Sequence, residues 1–184
     1  MKAQLLICGL AMVLVIPSAA AAQPRMPHRD ASAIGGEVGI FLPKEEALKS
    51  GPVLEGFYEH YFTARESLRI GVGWLNPKWE AEDSDSLRQI HIGADFLHNW
   101  EGGAVHPFVG AGLSAYFLQF RDNGTNLGDS ETKLGGSFFG GVEYFTSDTI
   151  SVKGEARYHV VSKTTRFNLN PSGLSLTFGV KSYF

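Results

Sequence analysis

The sequence predicts an all-β fold, an eight-stranded antiparallel up-and-down transmembrane β-barrel, on three observations. From Ala33 onward apolar residues recur at every second position in eight separate runs, the period of strands whose two faces meet different surroundings. The connections between the runs alternate between long and short. The parity opposite the apolar one carries ionisable residues of both signs on most of the runs.

The chain opens with a different pattern. Lys2, an apolar run from Leu5 to Ile16, a Pro17-Ser18 break and an alanine stretch make residues 1–22 a secretory signal peptide, with cleavage expected after Ala20 to Ala22. The run is shorter than the about 20 apolar residues an inner-membrane anchor needs. The single cysteine, Cys8, lies inside it, so the mature chain has no thiolate or disulfide chemistry. Residues 23–32 read as a short flexible lead and residues 33–184 as one barrel domain.

The eight runs are Ile34 to Leu42, Leu54 to Phe62, Leu68 to Trp74, Leu87 to Phe96, Phe108 to Leu118, Leu134 to Phe145, Ile150 to Val160 and Leu174 to Phe184. Most are near the 9 to 11 residues, roughly, that a tilted strand needs to cross the hydrocarbon. The second and fifth are the least regular. The seventh sets Ile150, Val152, Ala156, Tyr158 and Val160 against Ser151, Lys153, Glu155, Arg157 and His159; the last sets Leu174, Leu176, Phe178, Val180 and Phe184 against Ser175, Thr177, Gly179 and Lys181.

Pro43 to Pro52, Asn76 to Ser86, Arg121 to Thr132 and Ser162 to Gly173 are long polar connections, whereas Thr63 to Ser67 and Thr146 to Thr149 are tight and Trp100 to His106 is intermediate. Long loops at one end and short turns at the other, on an even number of strands, form the outer-membrane pattern, with both termini in the periplasm. Asp122-Asn123-Gly124 and Asn170-Pro171-Ser172-Gly173 are strong turn formers.

The ionisable residues indicate which face is inside. Glu37, Glu55, Glu59, Arg69, Asp95, Glu143, Lys153, Glu155, Arg157 and Lys181 share the polar parity. An eight-stranded barrel is just wide enough for side chains to fill, so these residues are expected to pair across it as an ionic network. Gly71, Gly73, Gly93, Gly110, Gly112 and Gly179 on the same parity leave room for them. Tyr58, Phe62, Trp74, Trp100, Phe117, Tyr144, Tyr158 and Phe184 take the other parity near strand ends, where interfacial girdles sit. A soluble lipocalin-like barrel alternates too, with the apolar parity turned towards a ligand cavity; strand-end aromatics favour the membrane reading.

Mean hydropathy is near zero and the net charge is −3. Without a Lys/Arg-rich run, nucleic acid is not an expected partner. Gly110-Ala-Gly112-Leu-Ser-Ala115 matches a dinucleotide fingerprint by letter, but Tyr116-Phe117-Leu118 continues a strand where that motif requires a helix. The six histidines lack tight metal-ligand spacing; His91 and His159 share the inward parity and read as members of the interior hydrogen-bond network. The carboxylates Glu55, Glu59, Glu143 and Glu155 have basic residues on the same face, which makes structural pairing the first reading over acid/base catalysis. For a lipid A deacylase, His159 and Ser162 with Asn168 further along are the only suggestive set, and a compact His-x-Ser-Asn arrangement is absent. No catalytic group, cofactor or metal is assigned.

The second half, His106 to Phe184, carries His106-Pro107-Phe108-Val109-Gly110-Ala111-Gly112, Gly141-Val142-Glu143-Tyr144 and Gly154-Glu155-Ala156-Arg157-Tyr158. On these pieces it resembles the small outer-membrane β-barrel proteins of the OmpA, OmpX and OmpW types; the first half matches in pattern alone. The resemblance implies an outer-membrane location, outer-membrane lipid as surroundings, and an assembly machinery that reads the terminal Phe184. The usual aromatic two residues before it is Ser182 here, with Tyr183 one position late. Members differ widely in activity. The expected function is non-enzymatic: a charge-plugged barrel contributing to envelope integrity, with four extracellular loops for surface interaction and an extracellular ligand that the loops do not identify. The alternative is a narrow OmpW-like channel for small solutes; a lipid A-modifying enzyme and a soluble lipocalin-like binder rank below both.

Overall fold

The computed structural model describes residues 27–80, 85–100, 103–123, 125–126, 128–165 and 168–184; the expected signal peptide and the first four residues of the lead lie outside them. Eight long strands carry the fold: β1 (Ser32–Pro43), β2 (Gly51–Tyr61), β3 (Glu66–Leu75), β4 (Ser86–Asn99), β5 (Val105–Asp122), β6 (Glu131–Phe145), β7 (Ile150–Val161) and β8 (Gly173–Tyr183). Each pairs antiparallel with its chain neighbours. β1 then pairs with β8 in one continuous register from Ala33↔Tyr183 to Pro43↔Gly173. The sheet is thereby closed and has no edge strand, the condition for backbone to lie in hydrocarbon.

Short turns and both strand termini lie at one end. Thr63 Oγ1 accepts hydrogen bonds from the Arg65 and Glu66 amides at 3.1 and 2.9 Å, and Ser147 Oγ accepts one from Ile150 N at 3.0 Å; hydroxyl-capped turns of this kind reverse a chain within a few residues. The barrel begins earlier than the hydrophobic period suggests. Ser32 exchanges backbone hydrogen bonds with Phe184, Asp30 N donates to Tyr61 O at 2.9 Å, and Ala31 is buried with Tyr61, Phe145 and Tyr183.

At the loop end the central strands run past their expected limits. β5 has 18 residues, and Arg121 and Asp122, expected in a loop, continue it and pair with Asn126 and Thr125. The turn between them uses Asn123 at φ 47°, a left-handed conformation that asparagine tolerates. In the first two long loops Leu48–Lys49 pairs with Lys78–Trp79.

The outer surface is apolar: Ile34, Val38, Leu54, Ile70, Ile92, Phe138 and Phe178 are exposed, and Leu113 and Leu134 are 76% and 77% exposed. Such a surface is unusual in water and suited to lipid. Tyr58, Phe62, Trp100, Phe117, Tyr144 and Phe184 are exposed outward, while Trp74 and Tyr158 are half-buried on the same face.

Candidate functional site

Alternation along each strand turns one row of side chains inward, and the barrel radius forces these rows to meet. All ten ionisable residues of the polar parity are buried there. Six are carboxylates and four are cations, and they stack in layers from the turn end to the loop end.

Nearest the turns, Lys181 Nζ donates to Glu59 Oε2 at 3.1 Å, Glu143 Oε2 at 3.0 Å and the Tyr61 hydroxyl at 2.8 Å. Glu143 also accepts hydrogen bonds from Ser151 and Tyr183, and Glu59 accepts one from Ser67 at 2.6 Å. One layer up, Arg69 bridges Glu59 at 3.2 Å and Glu155 at 2.8 Å, and Lys153 bridges Glu155 at 2.9 Å and Glu37. Thr177 donates to the other oxygen of Glu37 at 2.5 Å. Above them Arg157 holds Glu155 through Nε at 2.8 Å and Asp95 through Nη2 at 2.9 Å, and donates through Nη1 to Ser137 at 3.0 Å. Glu55 is the least engaged carboxylate, with Arg157 at 3.9 Å and His91 at 3.8 Å.

The layer towards the loops is aromatic. His91 and His159 do meet, with ring centroids 5.5 Å apart. His159 hydrogen-bonds the Tyr116 hydroxyl through Nδ1 and Ser175 Oγ through Nε2, each at 3.0 Å. Both ring nitrogens are therefore occupied by interior partners. Ser162 is exposed, with its hydroxyl directed at the Leu134 carbonyl at 3.5 Å, and Asn168 is an exposed loop residue with φ 52°. The His159, Ser162 and Asn168 set is not assembled into a relay.

Apolar clusters close the two ends. Leu48, Leu87, Tyr116, Leu118, Phe120, Val161 and Leu169 form a buried group under the loops, with Ala47 and Trp79 against it. Ala31, Ala33, Tyr61, Phe145 and Tyr183 form another at the turn end. The loops are tied across this upper group: Lys44 N donates to Ser172 O at 2.9 Å, Glu80 N to Ala47 O at 2.9 Å and Asn170 N to Glu45 Oε2 at 3.0 Å.

The inner aromatics are the residues that sequence reasoning missed. The Arg69 guanidinium stands 4.6 Å from the Phe57 ring centroid and 5.4 Å from that of Phe139, and Arg157 stands 4.0 Å from Phe139. Rings thus fill the volume that charge pairs leave and face the cations favourably. Their signal was parity: Phe57 and Phe139 alternate in step with the charged residues of their strands and Phe108 with the inward Gly110 and Gly112, which is why the second and fifth runs read as irregular. Tyr183 belongs to this group too. It is buried inside, while Ser182 is outward and exposed, so the late aromatic of the C-terminal pattern is an interior residue. Phe184 is 73% exposed.

Glycine makes the close layering feasible. A Cβ at Gly112 would fall on Asp95 Oδ1 and one at Gly73 on the His91 ring, so each glycine gives its neighbour on the adjacent strand the space to lie across the interior.

Comparison with known proteins agrees with this architecture. Among solved structures, Neisserial surface protein A has a TM-score of 0.69 at 16% identity, over 84% of this chain and 97% of that one. The outer membrane protein OprG of Pseudomonas aeruginosa has 0.65 at 11% identity, over 87% and 98%. The attachment invasion locus protein Ail of Yersinia pestis, in complex with the heparin analogue sucrose octasulfate, has 0.58 at 12% identity, over 85% and 99%. At these identities the likeness is one of fold. No curated protein matches the sequence. The model of the outer membrane protein beta-barrel domain matches residues 8–181, and with the closed sheet and its apolar exterior this places the chain in that family of bacterial outer-membrane proteins.

Proposed function

We propose that this chain is a non-enzymatic, non-conducting barrel that contributes to envelope integrity and meets the exterior through its four loops. The observation that carries the reading is the filled interior. Four cations and six carboxylates span the lumen in linked pairs, and an apolar cluster lies beyond them at each end. Opening a path through such a stack would require separating buried pairs, which costs about 3–5 kcal/mol for each partner removed. The loops are left as the surface on which specificity can reside. Their charges are mixed in the first loop, with Lys44, Glu45, Glu46 and Lys49, and mainly acidic in the second, with Lys78 against Glu80, Glu82, Asp83 and Asp85. The complex of Ail with a heparin analogue concerns a protein of the same fold; the balanced first loop and the acidic second loop here favour no comparable anion.

The absence of catalysis is inferred from the engagement of His159 by Tyr116 and Ser175 beneath the apolar lid. The test of the plug is conductance in a planar bilayer. The purified barrel is expected to give no steady step above the lipid background; a reproducible pore would replace this reading with that of a narrow solute channel.

A further inference from the structure

The lipid-facing wall is not uniformly ridged. Over β1 to β4 it carries an apolar groove of about 400 Å³, bounded by Ile34, Tyr58, Ile70, Val72 and Ile92 and floored at Gly56. The groove follows from register. Gly56 stands directly opposite Gly36 on β1 and Val72 on β3, and a Cβ built at Gly56 would meet only the Gly35 carbonyl, at 4.0 Å. The wall residues around it are large and exposed, so the missing side chain leaves a recess.

The groove is continuous with the apolar band that faces the membrane, and Tyr58 on its wall borders a polar group one outward pair nearer the turns. There Ser32 Oγ hydrogen-bonds the Tyr58 hydroxyl at 2.8 Å and His60 Nδ1 at 3.1 Å. All three side chains are on the outward parity next to the turn end of β1 and β2, the level at which headgroups meet the barrel. His60 is half-buried, edge-on to Phe62 with centroids 5.6 Å apart. An apolar slot that opens downward onto hydroxyl and imidazole groups matches a molecule with an alkyl chain and an ester or phosphate end. The turn end faces the periplasmic leaflet, which in an outer membrane is built of glycerophospholipid.

We infer that this wall holds one glycerophospholipid of the periplasmic leaflet, with an acyl chain in the groove over Gly56 and its ester and phosphate oxygens at Tyr58 and His60, which the buried Ser32 hydroxyl holds in place. Within a bilayer the retention comes from packing and hydrogen bonding, because lipid tails are as apolar as the wall.

The test is native mass spectrometry of the barrel released from micelles supplied with palmitoyl-oleoyl phosphatidylethanolamine. Gly56→Phe fills the recess without touching the interior. Gly154→Phe adds the same bulk to the outer wall on β7, where the nearest atom to a Cβ is Thr177 O at 4.0 Å. Heat-dependent gel mobility verifies that both variants fold. One lipid is expected to remain on the wild type and on Gly154→Phe, with occupancy at least about threefold lower on Gly56→Phe. A Ser32→Ala, Tyr58→Phe double variant is expected to lose the preference for phosphatidylethanolamine over the diacylglycerol of the same chains. Equal retention by wild type and Gly56→Phe overturns the site, as does equal loss in Gly154→Phe. A lipid-free dimer that Gly56→Phe dissociates assigns the groove to a second copy of the chain instead.

Discussion

Arg157→Met separates electrostatics from filling, since methionine keeps much of the volume over Phe139 while removing the charge. Arg157 is 3% exposed and is the only cation paired with Asp95 among the described residues, at 2.9 Å. Glu155 keeps Arg69 and Lys153 when Arg157 is lost, at 2.8 and 2.9 Å, whereas Glu55 keeps only His91 at 3.8 Å. One carboxylate is thus stranded outright and a second weakened. Removing one partner of a buried pair costs about 3–5 kcal/mol, and the lower end applies here because Glu155, the carboxylate held through Nε, retains two cationic neighbours, Arg69 and Lys153. A loss of about 3 kcal/mol lowers the folded-to-unfolded ratio by roughly two orders of magnitude. The assay is urea unfolding in liposomes, followed by tryptophan fluorescence and by the folded fraction on unheated gels. Asp95→Asn in the Arg157→Met background is expected to recover about 2 kcal/mol, because the stranded charge is gone. The reasoning fails if Arg157→Met costs less than about 1 kcal/mol, or if the two substitutions add without coupling.

Three further outcomes follow from the same geometry. Lys181→Met is expected to cost about 3 kcal/mol and to be relieved in part by Glu143→Gln, since Glu59 keeps Arg69 at 3.2 Å while Glu143 keeps only hydroxyl donors; the same unfolding assay reads it. Gly112→Ala, whose Cβ would fall on Asp95, is expected to cost about 1–3 kcal/mol, whereas the outward Gly154→Ala stays within about 0.5 kcal/mol. Glu45→Ala removes the acceptor for Asn170 N and is expected to speed tryptic cleavage after Lys163 on intact cells, with global stability changed by less than about 1.5 kcal/mol; unchanged cleavage would show that this tie does not hold the fourth loop.

Much of the architecture was legible because a membrane barrel imposes a period of two on every strand at once. Arg157, Lys153 and Lys181 were assigned to the inner face by the same alternation that turned Leu176 and Phe178 outward. Alternation locates a residue on a face and gives no partner. That Arg157 meets Asp95 while Lys181 meets Glu143 depends on strand stagger, which is set by pairings between residues far apart in sequence. Strand ends were also hidden: Arg121 and Asp122 are polar, so they read as loop, yet beyond the membrane a paired ribbon no longer needs an apolar face. Phe57 and Phe139 were overlooked as interior groups because an aromatic residue in a membrane barrel suggests lipid, whereas here some of the interior volume falls to rings.

The pairing of β1 with β8 also orders events in time. Ser32 and Phe184 hold each other's backbones, so the end of β8 completes the ring begun by β1. Until that contact forms, the growing sheet has two unpaired borders, each a template for a foreign strand. Every local hairpin can form early, but this seam joins segments more than a hundred residues apart, and such distant contacts are slow to find. The barrel is therefore most vulnerable to mispairing just before β1 and β8 meet, when a curled sheet is almost whole and still open.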